Sequence, residues 1–455
     1  MEKNLTSGSI FRNIMIFSLP YLLSYLLQTL YGMADLYIIG QFGVVYDTTA
    51  VSIGSQVMHM LTVMIVGLAM GATVFIGQSV GGNDLRKAAN GIGNTVTIFM
   101  AVSVALTALL VVLVKPITAV MSTPADAVSG TVSYLTICFI GIPFITAYNV
   151  ISAIFRGMGD SKSPMYFIAV ACAANIGLDY LFMGALHMGP AGAALGTTLS
   201  QAISVFVSLA VILRRKTGIS LTKSDFKPYR PVMGSILKIG IPVALQDGLI
   251  QIAFIVITII ANHRGLNDSA AVGIVEKVMS FLFLVPSSML STVSALGAQN
   301  IGAGKPKRAV QTLRCAAFLA AGFGCVVAIA VQFLAEPIVA QFTDAATAEG
   351  AEVVRLGGQY LRGYVWDCIF AGVHFCFSGY FCAVEKSGLS FLHNIIAIAL
   401  MRIPGVYITS KLFPETLFPM GLATASGSVI SVIICVIAFT VLMKKTKSGF
   451  EVQNG

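Results

Sequence analysis

Charge is what this chain has least of. Of its 455 residues, 10% are Asp, Glu, Lys or Arg, against about 25% in an ordinary soluble domain. So few charges cannot cover a water-facing surface of normal size, which excludes a set of soluble domains. Intrinsic disorder is excluded by the 56% hydrophobic content, because disordered chains are poor in apolar residues. The eight cysteines form no CxxC pair and no Cys/His cluster of zinc spacing, so neither a disulfide framework nor a structural metal is indicated. The phosphate-loop pattern GxxxxGK[ST] is missing, and GMGDSK at 157–162 does not satisfy it, which excludes a nucleotide-driven pump domain on this chain. No paired-His metal motif is present, and the GxSxG pattern occurs only as GQSVG at 77–81, inside a long apolar run and not in the strand-to-helix turn that a nucleophile elbow needs. The chain is therefore not expected to be an enzyme, and no cofactor is expected.

Apolar sequence fills the space that charge leaves. Mean hydropathy is +0.87, and residues 13–34, 48–83, 88–114, 127–155, 180–213, 278–304, 315–335 and 416–443 contain no charged side chain. A helix needs about 20 apolar residues to cross the hydrocarbon core. Adding segments interrupted by single charges predicts twelve helices, beginning near residues 13, 50, 91, 131, 163, 190, 236, 271, 312, 356, 390 and 417. The runs are long and do not alternate with period two, so helices are expected rather than a barrel. The first run is too long for a signal peptide and no small-residue cleavage site follows it, so it is expected to stay as helix one. The 44 glycines suit close helix packing in lipid.

The net charge of +9 is a statement about topology. Lys3, Arg12, Arg86, Lys87, Arg156 and Lys162 lie in loops on the N-terminal side, and Arg214, Arg215, Lys216, Lys223, Lys227 and Arg230 lie in the central link. Lys305, Lys307, Arg308, Arg314, Lys386, Lys444, Lys445 and Lys447 complete twenty of the 28 basic residues. Opposite loops hold Lys115, Arg264, Arg355 and Lys411. Excess Lys and Arg mark cytoplasmic loops, so both termini are expected in the cytoplasm and the chain in the cytoplasmic membrane. No nucleic acid is needed to explain the charge.

The sequence repeats itself. Residues 51–89 lie without gaps on 272–310, placing Val51 on Val272, Met58 on Met279, Gln78 on Gln299 and Gly81 on Gly302. Pro20 falls on Pro242, Tyr134 on Tyr360 and Gly192 on Gly421. Two six-helix halves follow, 1–222 and 223–455. Six is even, so both halves enter from one side and make a parallel repeat about an axis along the membrane normal. The fold class is thus all-α and polytopic, with two homologous six-helix bundles whose rocking opens a cleft to each side in turn.

At these residues the chain resembles the multidrug and toxic compound extrusion (MATE) family. The resemblance spans essentially the whole chain. It rests on SLPYLLSYLLQTLYGMADLYIIGQFG at 18–43, the basic GQ-x-x-G loops at 77–87 and 298–308, and NIGLDYLF at 175–182. It implies a twelve-helix antiporter that expels small organic cations in exchange for Na+ or H+. No obligate protein partner beyond the lipid bilayer is expected, and the chain is expected to be a monomer. The rival within the same broad superfamily is a flippase for a lipid-linked anionic precursor, which would favour a strongly basic cleft.

Ionisable groups inside the bilayer are the informative ones, since a charge at mid-membrane costs at least about 2.5–3.5 kcal/mol. Depth counts place Asp35, Asn175, Asp179 and Thr197 in the outer leaflet half of the first bundle, with Tyr134 near the start of helix four and Gln28 two turns before Asp35. By resemblance these match the family's amino-terminal cation site. Buried neighbouring carboxylates share a proton, and the same oxygens with Asn and Thr suit Na+; either ion would displace a cationic substrate. The alternative is a polar network that only packs helices. The second half does not duplicate the acid pair, since Asp35 aligns with Ile257 and Asp179 with Gly405. Its own candidates are Asp247, Gln251, Asp367 and Arg402, with Arg402 expected to pair with Asp367 or Asp247 and leave the other acid facing the cleft. Gln246 is a further cleft candidate. His59, His374 and His393 fall in spans with no mutual ligand spacing. Pro20, Pro143, Pro242, Pro286 and Pro404 predict kinks, tolerated where neighbouring helices satisfy the freed carbonyls.

Overall fold

A computed structural model describes residues 5–214 and 219–453. The described residues are helical throughout, without a strand. Ten helices are long and apolar enough to cross a membrane, and two bent pairs bring the number of spans to twelve. The chain is a multi-pass membrane protein. Lys3, Arg215 and Lys216, which entered the topology argument, lie outside the described residues.

The spans in chain order are α1 (Ile10–Phe42), α2 (Val45–Gly81), α3 (Leu85–Val120), α4 (Ala125–Ile140 with Ile142–Gly157), α5 (Lys162–Ala185) and α6 (Gly189–Arg214). The second set is α7 (Arg230–Asn262), α8 (Leu266–Gly302), α9 (Pro306–Phe342), α10 (Ala348–Tyr364 with Asp367–Ala383), α11 (Ser387–Leu412) and α12 (Phe418–Lys445, helical on to Gln453). Most helices begin a few residues before the predicted starts, and polar caps hold the first turns of α1, α3 and α10. Ser9 accepts from the Arg12 N–H, Asp84 from Lys87 N–H at 2.9 Å, and Thr347 from Gly350 N–H at 3.0 Å. Each such side chain satisfies a backbone donor that the first turn leaves free.

Pro20 and Pro242 stand inside α1 and α7. Pro143 and Pro404 instead start new segments, after Gly141 in α4 and after a π-helical turn in α11. Pro286 follows the break at Phe283 in α8. The α4 pair is bent by 49°, and α10 bends by 40° at Val365-Trp366 with no proline there. Both α5 and α11 carry a π-helical segment, Tyr180–Ala185 and Ile398–Arg402. Such segments aim side chains away from the regular helical register and recur at functional sites.

The helices group into two compact units. Unit 1 comprises Met1–Ala244 with Ala298–Pro306, and unit 2 comprises Leu245–Gly297 with Lys307–Gly455. In unit 1 one apolar core joins Phe75, Phe99, Tyr148, Phe155, Phe167 and Ile236, and another joins Ile38, Ile39, Val51, Tyr134, Phe139 and Met183. Unit 2 has a core built around Ile257, Met279, Tyr360, Leu361, Tyr364 and Met420. The link between the sequence halves is held on α3. Asp225 is buried, and Arg86 spans its two oxygens at 3.1 and 3.0 Å. Asn94 donates to the Asp225 carbonyl at 3.2 Å and accepts from Tyr229 N–H at 2.8 Å.

Candidate functional site

In unit 1, α1, α5 and α6 bring four of the six expected residues together. Asp35, Asn175, Asp179 and Thr197 are all buried. The Thr197 hydroxyl donates to Asp35 Oδ2 at 3.1 Å, and Asp35 and Asp179 lie within side-chain reach of one another and of Asn175. Asp179 is the last α-helical residue of α5 before its π turn. Its carboxylate occupies the space above Gly196 of α6, where a Cβ would overlap Oδ1. Only glycine leaves room for the acid there.

Acceptors outnumber donors in this group. Asp35 Oδ1, both oxygens of Asp179 and both ends of the Asn175 amide are buried without a hydrogen-bond partner of full geometry. No basic side chain forms an ion pair with either acid among the described residues. Unpaired buried oxygens of this kind are costly, and several converging hard oxygens are what a small monovalent cation or a shared proton needs.

Tyr134 supports the group from α4. Its hydroxyl meets Ser55 Oγ of α2 at 3.0 Å, and its ring fills the place where a Cβ on Gly54 would stand. Tyr134 and Asp35 lie close enough to interact electrostatically. Gln28 is half-buried two turns earlier on α1 and is not among the groups that meet Asp35. Tyr31 is a residue that the sequence reading missed: one turn before Asp35, it reaches Thr197 and lies in the field of both acids. Its i, i+4 spacing to Asp35 was the available signal.

Unit 2 resolves its charges differently. Arg402 Nη2 donates to Asp367 Oδ2 at 2.8 Å and to Ser428 Oγ at 3.2 Å, and Arg402 Nε donates to the Thr424 carbonyl at 3.1 Å. Of the two expected pairings, Arg402 makes the one with Asp367. Asp247 is half-buried beside Gln246, whose own amide oxygen accepts from Ser390 at 2.8 Å. Gln251 is half-buried one turn beyond Asp247 along α7. Tyr360, the repeat equivalent of Tyr134, meets Thr424 Oγ1 at 3.2 Å.

Two further polar groups in unit 2 were not legible beforehand. The Thr258 hydroxyl donates to Glu276 Oε2 at 3.2 Å, where Glu276 stands at the repeat position of Ser55. The rings of His374 and His393, distant in sequence terms, approach to 5.4 Å between centroids. His374 Nε2 meets Ser428 Oγ at 3.3 Å and His393 Nε2 meets Ser378 Oγ at 2.9 Å. No group of three or more metal-ligating side chains occurs among the described residues.

Comparison with known proteins agrees with this architecture. The sequence model of the MatE family matches residues 20–181 and 242–408. The chain is 28% identical over 400 residues to "Probable multidrug resistance protein YpnP" of Bacillus subtilis, covering 88% of each chain. It is 25% identical over 411 residues to "Multidrug export protein MepA" of Staphylococcus aureus strain N315, covering 90% of this chain and 89% of that one. In fold it is similar to a crystal structure of a MATE protein in complex with MaL6, with a TM-score of 0.90, 20% identity and 98% of each chain covered. With twelve spans, a duplicated sequence and a family match over most of its length, the chain belongs to the MatE family of membrane transporters.

Proposed function

We propose that the protein is a secondary active exporter of small organic cations, driven by inward flow of Na+ or H+ through the Asp35–Asp179 group. The observation that carries this reading is the pair of buried carboxylates in unit 1 with no basic partner. Two acids at close range in a low-dielectric site cannot both stay bare. One proton or one Na+ held among Asp35, Asp179, Asn175 and Thr197 removes the repulsion. The same ion removes the attraction for a cationic drug, so ion and substrate exclude each other, which is the requirement for antiport. A single charge moving inward at 100 mV supplies about 2.3 kcal/mol.

The six-helix lobes 1–222 and 223–455 are the bodies we assign to alternating access, with both termini in the cytoplasm. The excess of basic loops at one end supports that orientation. The multidrug names of the relatives YpnP and MepA support the substrate class; the likeness to solved structures supports the fold. A flippase for an anionic precursor is disfavoured because Arg402, the base deepest in unit 2, is already held by Asp367.

The test is ethidium efflux from proteoliposomes, with Na+ and pH gradients imposed separately. Asp35→Asn and Asp179→Asn are expected to insert normally and to lose gradient-driven efflux. Full gradient-driven efflux in both variants would sink the site, and scrambling of labelled lipid without cation efflux would favour the flippase.

A further inference from the structure

Unit 2 holds a cavity of 390 Å³ among α8, the end of α9 and the first segment of α10. Ligand pockets span about 300–1,000 Å³, so it is large enough to take a small group. Ile274, Phe342 and Val353 give it apolar walls, and Lys277 and Thr343 are its polar lining. Gly273 leaves one wall bare, since a Cβ built there meets nothing within 4 Å. Lys277 forms no ion pair among the described residues. The acids that adjoin the lining residues in sequence have other partners. Glu276 accepts from Thr258 at 3.2 Å, Asp344 from Ala346 N–H at 3.0 Å, and Glu352 holds Arg355 at 2.6 Å. The cavity therefore carries one positive charge that no acid offsets among the described residues.

Its depth says what can reach it. Counted from Gly302, where α8 ends beside a basic loop, Lys277 stands about 38 Å along the helix at 1.5 Å per residue. Counted from Ala383, where α10 ends near Lys386, Val353 stands about 45 Å along that span. The hydrocarbon core is about 30 Å thick, and the bilayer with its headgroups about 40–45 Å. The cavity thus lies at the headgroup level of the leaflet remote from the basic loops. An ammonium beside apolar walls at that level selects an amphiphile with a negative head. A cationic drug is repelled by Lys277, and a small soluble anion leaves the apolar walls unfilled. Unit 1 has a smaller cavity, 230 Å³, lined by Asp47 and Asp126, so its charge has the opposite sign.

We propose that the Lys277 cavity binds an anionic phospholipid of the surrounding leaflet. The headgroup phosphate pairs with Lys277 and accepts from the Thr343 hydroxyl. The glycerol end lies against Ile274, Phe342 and Val353, and the acyl chains stay in the bilayer. The bound lipid ties the ends of α8, α9 and α10 to that leaflet. The inference needs the membrane placement of the chain but not the antiport reading.

The experiment puts a reporter in the cavity wall, Phe342→Trp, in a Trp366→Phe background that removes the single native tryptophan. The full chain is reconstituted in mixed phosphatidylcholine and phosphatidylglycerol vesicles, with one lipid at a time brominated on its acyl chains. Quenching of tryptophan fluorescence is read as the lipid ratio varies. Phosphatidylglycerol is expected to bind about five-fold more tightly than phosphatidylcholine, the attraction of one lysine for an anionic headgroup. Lys277→Gln is expected to abolish that preference and Lys277→Arg to keep it. Gly273→Leu, which fills the bare wall and leaves the charge, is expected to reduce quenching by both lipids. Lys411→Gln removes a lysine that lies over Tyr407, outside the cavity, and is expected to leave the preference unchanged. No preference in the parent, or one that survives Lys277→Gln, overturns the proposal. So does loss of the preference on adding inorganic phosphate at constant ionic strength, which would mark a site for a soluble anion. Because no transport is measured, the result stands whether or not Asp35 and Asp179 couple efflux.

Discussion

The two units carry buried charge in opposite ways. Unit 1 gathers two acids with no base, under a threonine, an asparagine and a tyrosine, and leaves several oxygens without donors. Unit 2 neutralises Asp367 internally with Arg402, and fixes the guanidinium with Thr424 and Ser428. The repeat makes the contrast sharper, since both sites lie beside a π-helical turn and a repeat-equivalent tyrosine, Tyr134 or Tyr360. Asp367 thus has a tethered counter-charge, whereas the buried Asp35 and Asp179 have none among the described residues. The same duplicated scaffold holds one acid pair without a fixed counter-charge among the described residues and one acid that carries its own.

The largest expected effect is a reversal between the units on removing one acid. Asp367→Asn leaves Arg402 buried without a counter-charge, which costs about 3–5 kcal/mol and lowers thermal stability in detergent steeply. Replacing the pair together, Arg402→Met with Asp367→Leu, is expected to restore most of that stability, because well-packed apolar pairs replace buried ion pairs at little cost. Asp179→Asn is expected to do the opposite: stability is kept or raised, since it removes charge that has no partner, while coupled efflux is lost. Equal destabilisation by the two Asp→Asn changes would break the comparison.

Next in size is Gly196→Ala. Its methyl must displace the Asp179 carboxylate, an overpacking expected to cost about 1–3 kcal/mol. The functional consequence should exceed the structural one, with weakened ion dependence of ethidium efflux in protein that still elutes as a single species. Gly405, the repeat mate of Asp179, has only Ala423 near its Cα, so Gly405→Ala is the matched control and should leave ion dependence unchanged. Smaller again are Tyr134→Phe and Tyr360→Phe. Each removes one hydroxyl contact, to Ser55 or Thr424, and should cost about 1 kcal/mol. Thermal stability should fall alike in both, but only Tyr134→Phe should alter ion dependence.

Hydropathy and charge spacing made the twelve spans legible, because membrane thickness imposes a length that composition reports directly. They also placed Asp35, Asn175, Asp179 and Thr197 at one depth. Depth is only one coordinate, however; the direction a residue faces around its helix is the other, and a π turn or a bend resets it. Gln28 shares the helix of Asp35 but not its contacts, whereas Tyr31, one turn from the acid, joins the group. The bend at Val365-Trp366 has no proline to announce it. His374 and His393 meet only because α10 and α11 pack side by side, a tertiary fact that their spacing does not encode. Glu276 likewise takes its partner, Thr258, from another helix, which its own position in the sequence does not announce.

The smallest effect concerns a carboxylate outside the spans, which serves as the reference for those inside. Asp225 is held below the ordinary carboxylate range, first by the Thr222 backbone N–H, then by the Thr222 hydroxyl and by Arg86. With a folded value below the unfolded one, its contribution to stability is complete above about pH 4, the unfolded value. It is lost as pH falls through the lower folded value. Thermal stability of the parent and of Asp225→Asn should therefore differ by a constant amount from neutral pH down to about pH 5, and converge only in stronger acid. On the proposed function the Asp35–Asp179 group is expected to obey a different rule, because no fixed base pairs with its acids among the described residues. For Asp179→Asn the difference from the parent should change with Na+ concentration or with pH across the neutral range. A difference as insensitive to both ions as that of Asp225→Asn would mean that unit 1, like unit 2, neutralises its buried charge from within.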